Sequence, residues 1–164
     1  MKLELQDILH KPDGVLEFST TLDLSDLSFY GEQPITGPVL VEGCVTNHAG
    51  ALVLEGQISS KLDLQCHRCI CAYQAEKTVE LHSLLATELE DEEHDEIILL
   101  DGTTLDIEEL ATSAFVLALD TKNLCTEDCK GLCPICGTDL NRSACSCSDI
   151  GDSPFAALAH LRLD

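Results

Sequence analysis

Six of the ten cysteines of this chain fall between Cys125 and Cys147, in the run LCTEDCKGLCPICGTDLNRSACSC. Such a segment has almost no apolar content of its own, so a hydrophobic core cannot order it. Thiols clustered in this way read as metal ligands or redox groups rather than as a disulfide framework. Cys133-Pro-Ile-Cys136-Gly137 has the form of a zinc knuckle. Two intervening residues let both sulfurs reach one ion at ~2.3 Å, and a following glycine lets the backbone turn beneath it. Cys145 and Cys147 supply two more thiolates, and the intervening loop, with Gly137, Thr138, Asp139 and Asn141, is long enough to return.

The ligand set expected for a structural Zn2+ is therefore Cys133, Cys136, Cys145 and Cys147, with Cys125 and Cys129 competing for the same roles. Four thiolates leave no open position for water or substrate, so the site is structural rather than catalytic. An ion held this way contributes ~10 kcal/mol or more to ordering its segment. The spacing of Cys129, Cys133 and Cys136 also matches the cluster-binding triad of radical S-adenosylmethionine enzymes. Too few residues follow for the α/β barrel those enzymes need, so that reading is rejected.

A second group, Cys66-His67-Arg68-Cys69 with Cys71 close behind, lies where two strands are expected to turn. Its spacing is that of a thiol-disulfide oxidoreductase, but a redox pair belongs at a helix N-terminus, and here a strand pattern follows. A structural hairpin tip is the leading reading, and oxidoreductase activity through Cys66 and Cys69 is the alternative. A further arrangement would join Cys66 and Cys69 to Cys125 and Cys129 around a second zinc. The histidines (His10, His48, His67, His82, His94, His160) show no ligand spacing, and no Ser-His-acid set or phosphate-cradling loop is evident. Nothing nominates an active site, and no enzyme is expected.

Upstream the pattern is that of an α+β fold. Residues 1–35 read as irregular with a short strand near Val15 to Leu22. Val39, Val41 and Val45 alternate along one strand, and Leu52, Leu54, Ile58, Leu62 and Leu64 share one parity in the next. Asn47, His48, Ala49 and Gly50 form the turn between them. Tyr73, Ala75, Val79, Leu81 and Leu85 define a third strand, giving an antiparallel β-meander with one dry face. Asp106 caps one helix over about 106–119, with Ile107, Leu110, Ala114, Leu117 and Ala118 as the stripe that covers the sheet. Ser153 and Pro154 open a short C-terminal helix carrying Phe155, Leu158 and Leu161. The expected division is a β-rich core over 1–120 and a Cys-rich metal-binding tail over 121–164.

The formal charge is -21, from 9 Lys and Arg against 30 Asp and Glu. It disfavours extensive direct binding of nucleic acid and favours a basic partner. The acidic stretch 87–96 reads as a solvated loop. No apolar run is long enough for a membrane span and no signal peptide is visible, so a cytoplasmic location is expected.

The order of these features resembles the YceD family of bacterial and plastid proteins. The resemblance rests on Leu62-Asp63-Leu64-Gln65-Cys66-His67-Arg68-Cys69, on Leu105-Asp106-Ile107 with Leu117-Ala118-Leu119, and on the ending from Asp152 to Leu161. Most specific is Cys129-Lys130-Gly131-Leu132-Cys133-Pro134-Ile135-Cys136-Gly137, followed by Leu140-Asn141. The chain departs from the family pattern at Ala114, Asp120 and Pro154. The resemblance implies a non-enzymatic role in large-subunit ribosome biogenesis, namely 23S rRNA accumulation. Combined with the charge, it points to action through a basic ribosomal protein or assembly factor.

Overall fold

The computed structural model describes residues 1–87 and 97–147. The expected C-terminal helix from Ser153, and the acidic stretch 87–96 apart from Thr87, lie outside the described residues. Two compact units are formed by the described residues, one within 1–64 and 73–121 and the other from 65–72 with 122–147.

The first unit is mostly β-structure. Strands β1 (Lys2–Glu4), β2 (Val15–Leu22), β3 (Val39–His48), β4 (Ala51–Gln65), β5 (Ala72–Ala86), β6 (Ile97–Leu99) and β7 (Thr104–Asp106) are joined by helices α1 (Gln6–Leu9) and α2 (Ile107–Leu117). Five strands form one sheet in the order β2-β3-β4-β5-β6, and β1 and β7 form a separate ribbon. The pairs β2–β3 and β3–β4 are antiparallel. Edge strand β6 runs parallel to β5, with Leu85 opposite Ile98, so the sheet is not antiparallel throughout. Three residues are too few to show a period, which is why β6 escaped the sequence pattern.

Alternation decides which face is dry. Val39, Val41 and Val45 of β3 are buried, as are Leu52, Leu54, Ile58, Ser60 and Leu62 of β4 and Leu81 and Leu85 of β5, while the residues between them face outward or are half-buried. One row breaks the rule with glycine. Gly43 pairs with Phe18 on one side and Gly56 on the other. A Cβ on Gly43 would lie 2.8 Å from the Gly56 Cα and 2.9 Å from the Phe18 ring. Gly43 thus clears the space that the buried Phe18 occupies, and Gly56 lets the two backbones approach at the same row.

The β3–β4 turn is tighter than its composition suggests. Only Ala49 (φ 53°) and Gly50 (φ 104°) form it, both left-handed as a two-residue hairpin loop requires. Asn47 is instead a buried strand residue. Its amide donates to the carbonyls of Ile8 (2.7 Å) and Leu9 (3.0 Å), and its oxygen accepts from the Gly50 N–H (2.7 Å). It thereby satisfies carbonyls at the end of α1 that have no partner within the helix.

Helix α2 begins where Asp106 accepts from the N–H groups of Glu108 (3.1 Å) and Glu109 (3.4 Å). Its buried residues are Ile107, Ala111 and Phe115, with Leu110 and Ala114 packed beside them. Leu117, expected on the buried stripe, is 87% exposed, because the helix turns it past the edge of that face. A single covering helix is likewise not what is observed. Leu3 of β1, Leu5, Ile8 of α1 and Leu105 of β7 enter the same core as α2 and the sheet. These elements are too short for a periodic pattern to announce them.

Candidate metal centres

Among its described residues the second unit has no aliphatic core. The buried side chains among them are Cys66, Cys69, Cys129 and Cys133. The cysteines converge in two groups of four, Cys66, Cys69, Cys125 and Cys129, and Cys133, Cys136, Cys145 and Cys147. Within each group every sulfur lies within 4.8 Å of every other. All four residues expected from the sequence to bind zinc are thus brought together. Cys125 and Cys129, their competitors, lie instead with Cys66 and Cys69.

Each group is built on a Cys-x-x-Cys turn, and the two turns share one backbone design. The Ile70 N–H donates to the Cys66 carbonyl (2.9 Å), and the Cys66 N–H donates to the Cys71 carbonyl (2.9 Å). In the other turn the Gly137 N–H donates to the Cys133 carbonyl (2.9 Å), and the Cys133 N–H donates to the Thr138 carbonyl (2.8 Å). Ile70 (φ 60°) and Gly137 (φ 71°) both take the left-handed conformation that reverses the chain after the second cysteine. Glycine does so without strain, whereas a β-branched residue is strained there. The next residue in each turn faces the second cysteine. The sulfurs of Cys71 and Cys69 are 3.2 Å apart, and the Thr138 Oγ1 is 3.1 Å from the Cys136 sulfur.

The two turns are also tied to each other. The Leu132 N–H donates to the Arg68 carbonyl (3.1 Å). Gly131 (φ 76°) makes this approach possible, since a Cβ there would lie 3.0 Å from that same oxygen. The Arg68 guanidinium donates to the carbonyl of Cys129 (2.8 Å). Asn141, from the loop of the second group, accepts from the Lys130 N–H (2.8 Å) and donates to the Cys129 sulfur (3.4 Å). The His67 N–H donates to the Asn123 carbonyl (2.9 Å), fixing the 66–69 turn against the segment that carries Cys125.

These sulfurs suit a soft, tetrahedral cation. An ion 2.3 Å from four sulfurs sets them about 3.8 Å apart. The Cys66–Cys129 and Cys69–Cys125 sulfurs are separated by 3.7 and 3.6 Å. The electrostatics agree. Burial pushes the Cys66 thiol up, but the N–H groups of Cys125, Cys69 and Arg68 outweigh it and bring the thiol down to about 5. The hydroxyl and N–H of Thr138 bring Cys136 down to about 6. Their neighbours move the other way. Burial and the Cys69 sulfur raise Cys125, and hydrogen bonding to Cys136 together with burial raises Cys147 to about 12. Crowded thiols resist ionising together, and a divalent cation among them removes that resistance.

Sequence reasoning missed Asn141, Arg68 and the equivalence of Cys71 with Thr138. The last was legible as a repeated Cys-x-x-Cys-x-(Cys/Thr) pattern; the others are contacts between distant segments.

Among the described residues no helix is long and apolar enough to cross a membrane. No solved structure matches the chain. An uncharacterized protein of Mycobacterium leprae is 29% identical over 108 residues, which are 63% of this chain and 49% of that protein. The chain thus spans about half the length of that relative. The profile of the family described as "large ribosomal RNA subunit accumulation protein YceD" matches residues 54–162, which include both cysteine groups, and the chain belongs to that family.

Proposed function

We propose that this protein is a non-enzymatic, cytoplasmic factor in large-subunit ribosome biogenesis that engages a basic ribosomal protein or assembly factor. Large ribosomal RNA then accumulates because its assembly partner is delivered or protected. A structural zinc ion on Cys133, Cys136, Cys145 and Cys147 holds the Cys-rich tail in shape and takes no part in a reaction.

The observation that carries this reading is the charge of -21. Part of it is displayed on the open face of the sheet, where Glu42, Glu55 and Glu80 line a shallow groove of about 510 Å³ together with Gly43 and Gly56. An acidic surface repels a phosphate backbone and speeds encounter with a basic protein, while apolar and shape contacts set how long the complex lasts. Binding of purified basic large-subunit ribosomal proteins, measured across a salt series, tests this. Replacing Glu42, Glu55 and Glu80 with lysine is expected to slow association by about tenfold or more. Tight binding to large ribosomal RNA at physiological salt, with no binding to basic ribosomal proteins, would overturn it.

One observation favours a second reading, a thiol-disulfide oxidoreductase using Cys66 and Cys69. The Cys66 thiol is brought down to about 5, as a reactive thiol requires. Against it, Cys66 is 1% exposed and Cys69 7%, so a disulfide substrate has no path to either sulfur. Insulin reduction by the purified protein, abolished by Cys66→Ser, would establish it.

A further inference from the structure

We propose that Cys66, Cys69, Cys125 and Cys129 form a second tetrathiolate site for a thiophilic divalent cation, with Cys71 outside the ligand set as the counterpart of Thr138. Because its ligands come from two distant segments, this site closes the tail onto the 65–72 turn. It stands whether or not the protein has the partner proposed above.

Five sulfurs compete for four positions, and the repeat in the backbone selects among them. Cys66 and Cys69 occupy the places of Cys133 and Cys136 in turns with matching hydrogen bonds. Cys71 then falls where the other turn has Thr138, a residue that is never a ligand in a thiolate set. Thr138 sits 3.1 Å from the Cys136 sulfur, and Cys71 sits 3.2 Å from the Cys69 sulfur. A side chain at that position within hydrogen-bond reach of the ligating sulfur helps to orient it, as outer-shell groups do around bound metals. The two remaining ligands complete opposite edges of a tetrahedron, with Cys129 3.7 Å from Cys66 and Cys125 3.6 Å from Cys69. Both distances fall close to the ~3.8 Å edge set by Zn–S bonds of 2.3 Å.

The surroundings also support sulfurs that are charged and fixed. The Asn141 amide donates to the Cys129 sulfur, and the Arg68 guanidinium holds the carbonyl of the same residue. Three of the four cysteines are buried, so the sulfurs are shielded from exchange with water and oxidants. Four protein thiolates leave no open position, which makes this site structural, like its neighbour.

Metal content of the full chain, purified under reducing conditions and measured by elemental analysis, tests the assignment. Two equivalents of zinc are expected in the wild type. Cys66→Ser with Cys69→Ser should leave one equivalent, as should Cys133→Ser with Cys136→Ser, and Cys71→Ser should keep both. A wild type with one equivalent, all of it lost in the Cys133 and Cys136 double variant, would overturn the second site and leave the first. Loss of one equivalent in Cys71→Ser but none in Cys125→Ser would overturn the ligand assignment. Should the Cys66 and Cys69 variant not fold, cobalt(II) titration of the wild type decides. Two equivalents with the visible and charge-transfer bands of a tetrahedral tetrathiolate support the site, and saturation at one overturns it.

Discussion

The two units of this protein stay folded by different means. In the first, the buried residues are mostly aliphatic or aromatic, from Leu3 to Leu119, and the buried polar side chains of Asn47 and Ser60 are hydrogen-bonded. In the second, the buried side chains among the described residues are cysteines, and none of those residues enters the hydrophobic core. A short segment rich in polar residues cannot bury enough apolar surface to offset the entropy of ordering its chain. Coordination bonds are a way around that limit, because a few ligands concentrate a large free energy in a small volume. The first unit therefore draws its stability from many weak contacts, whereas the second, on the metal-binding reading proposed above, would draw it from a few strong ones.

That contrast can be broken by experiment, and the largest effect should come from removing metal. A strong chelator is expected to remove ~10 kcal/mol of ordering from the 66–71 and 123–141 segments. Hydrogen exchange followed by mass spectrometry should show protection lost there and retained in β3 and β4. Equal loss in both units would mean that they do not stand apart energetically. The reverse test is Phe115→Ala, which empties a fully buried position in α2. Denaturant unfolding should show a loss of about 3–5 kcal/mol in the first unit, with zinc content unchanged.

The smallest effect sharpens a comparison within the second unit. Ile70 holds a left-handed conformation that costs a branched residue about 1–2 kcal/mol and costs Gly137 nothing comparable. The side chain of Ile70 is 57% exposed, so its removal sacrifices little packing. Ile70→Gly should therefore tighten metal binding at the Cys66 site by several-fold, less than the strain alone predicts, because glycine also gains freedom in the unfolded chain. Competition with a zinc indicator would read it. A weaker site would show that Ile70 is held by contacts that outweigh its strain.

Much of the first unit was legible in advance. The parity of Leu52, Leu54, Ile58 and Leu62, the capping by Asp106, and the strand near Val15 to Leu22 all reappear, since each depends on residues a few positions apart. What escaped notice was short or indirect: β1, α1, β6 and β7 are each four residues or fewer. Asn47, in turn, has the composition of a turn residue and the environment of a core one.

The sequence by itself determined the local chemistry of the cysteines. A Cys-x-x-Cys turn can form only where two sulfurs are three residues apart, so both turns, and the soft cation they suit, follow from spacing. Only the tertiary structure decided which turn joins which remaining pair of thiols. Lengthening the loop between ligands adds little to the entropy of closing it, so spacing alone does not rank Cys125 with Cys66 against Cys125 with Cys133. The pairing is instead set by the backbone contacts between Arg68 and Leu132 and between His67 and Asn123, which exist only once the chain has folded.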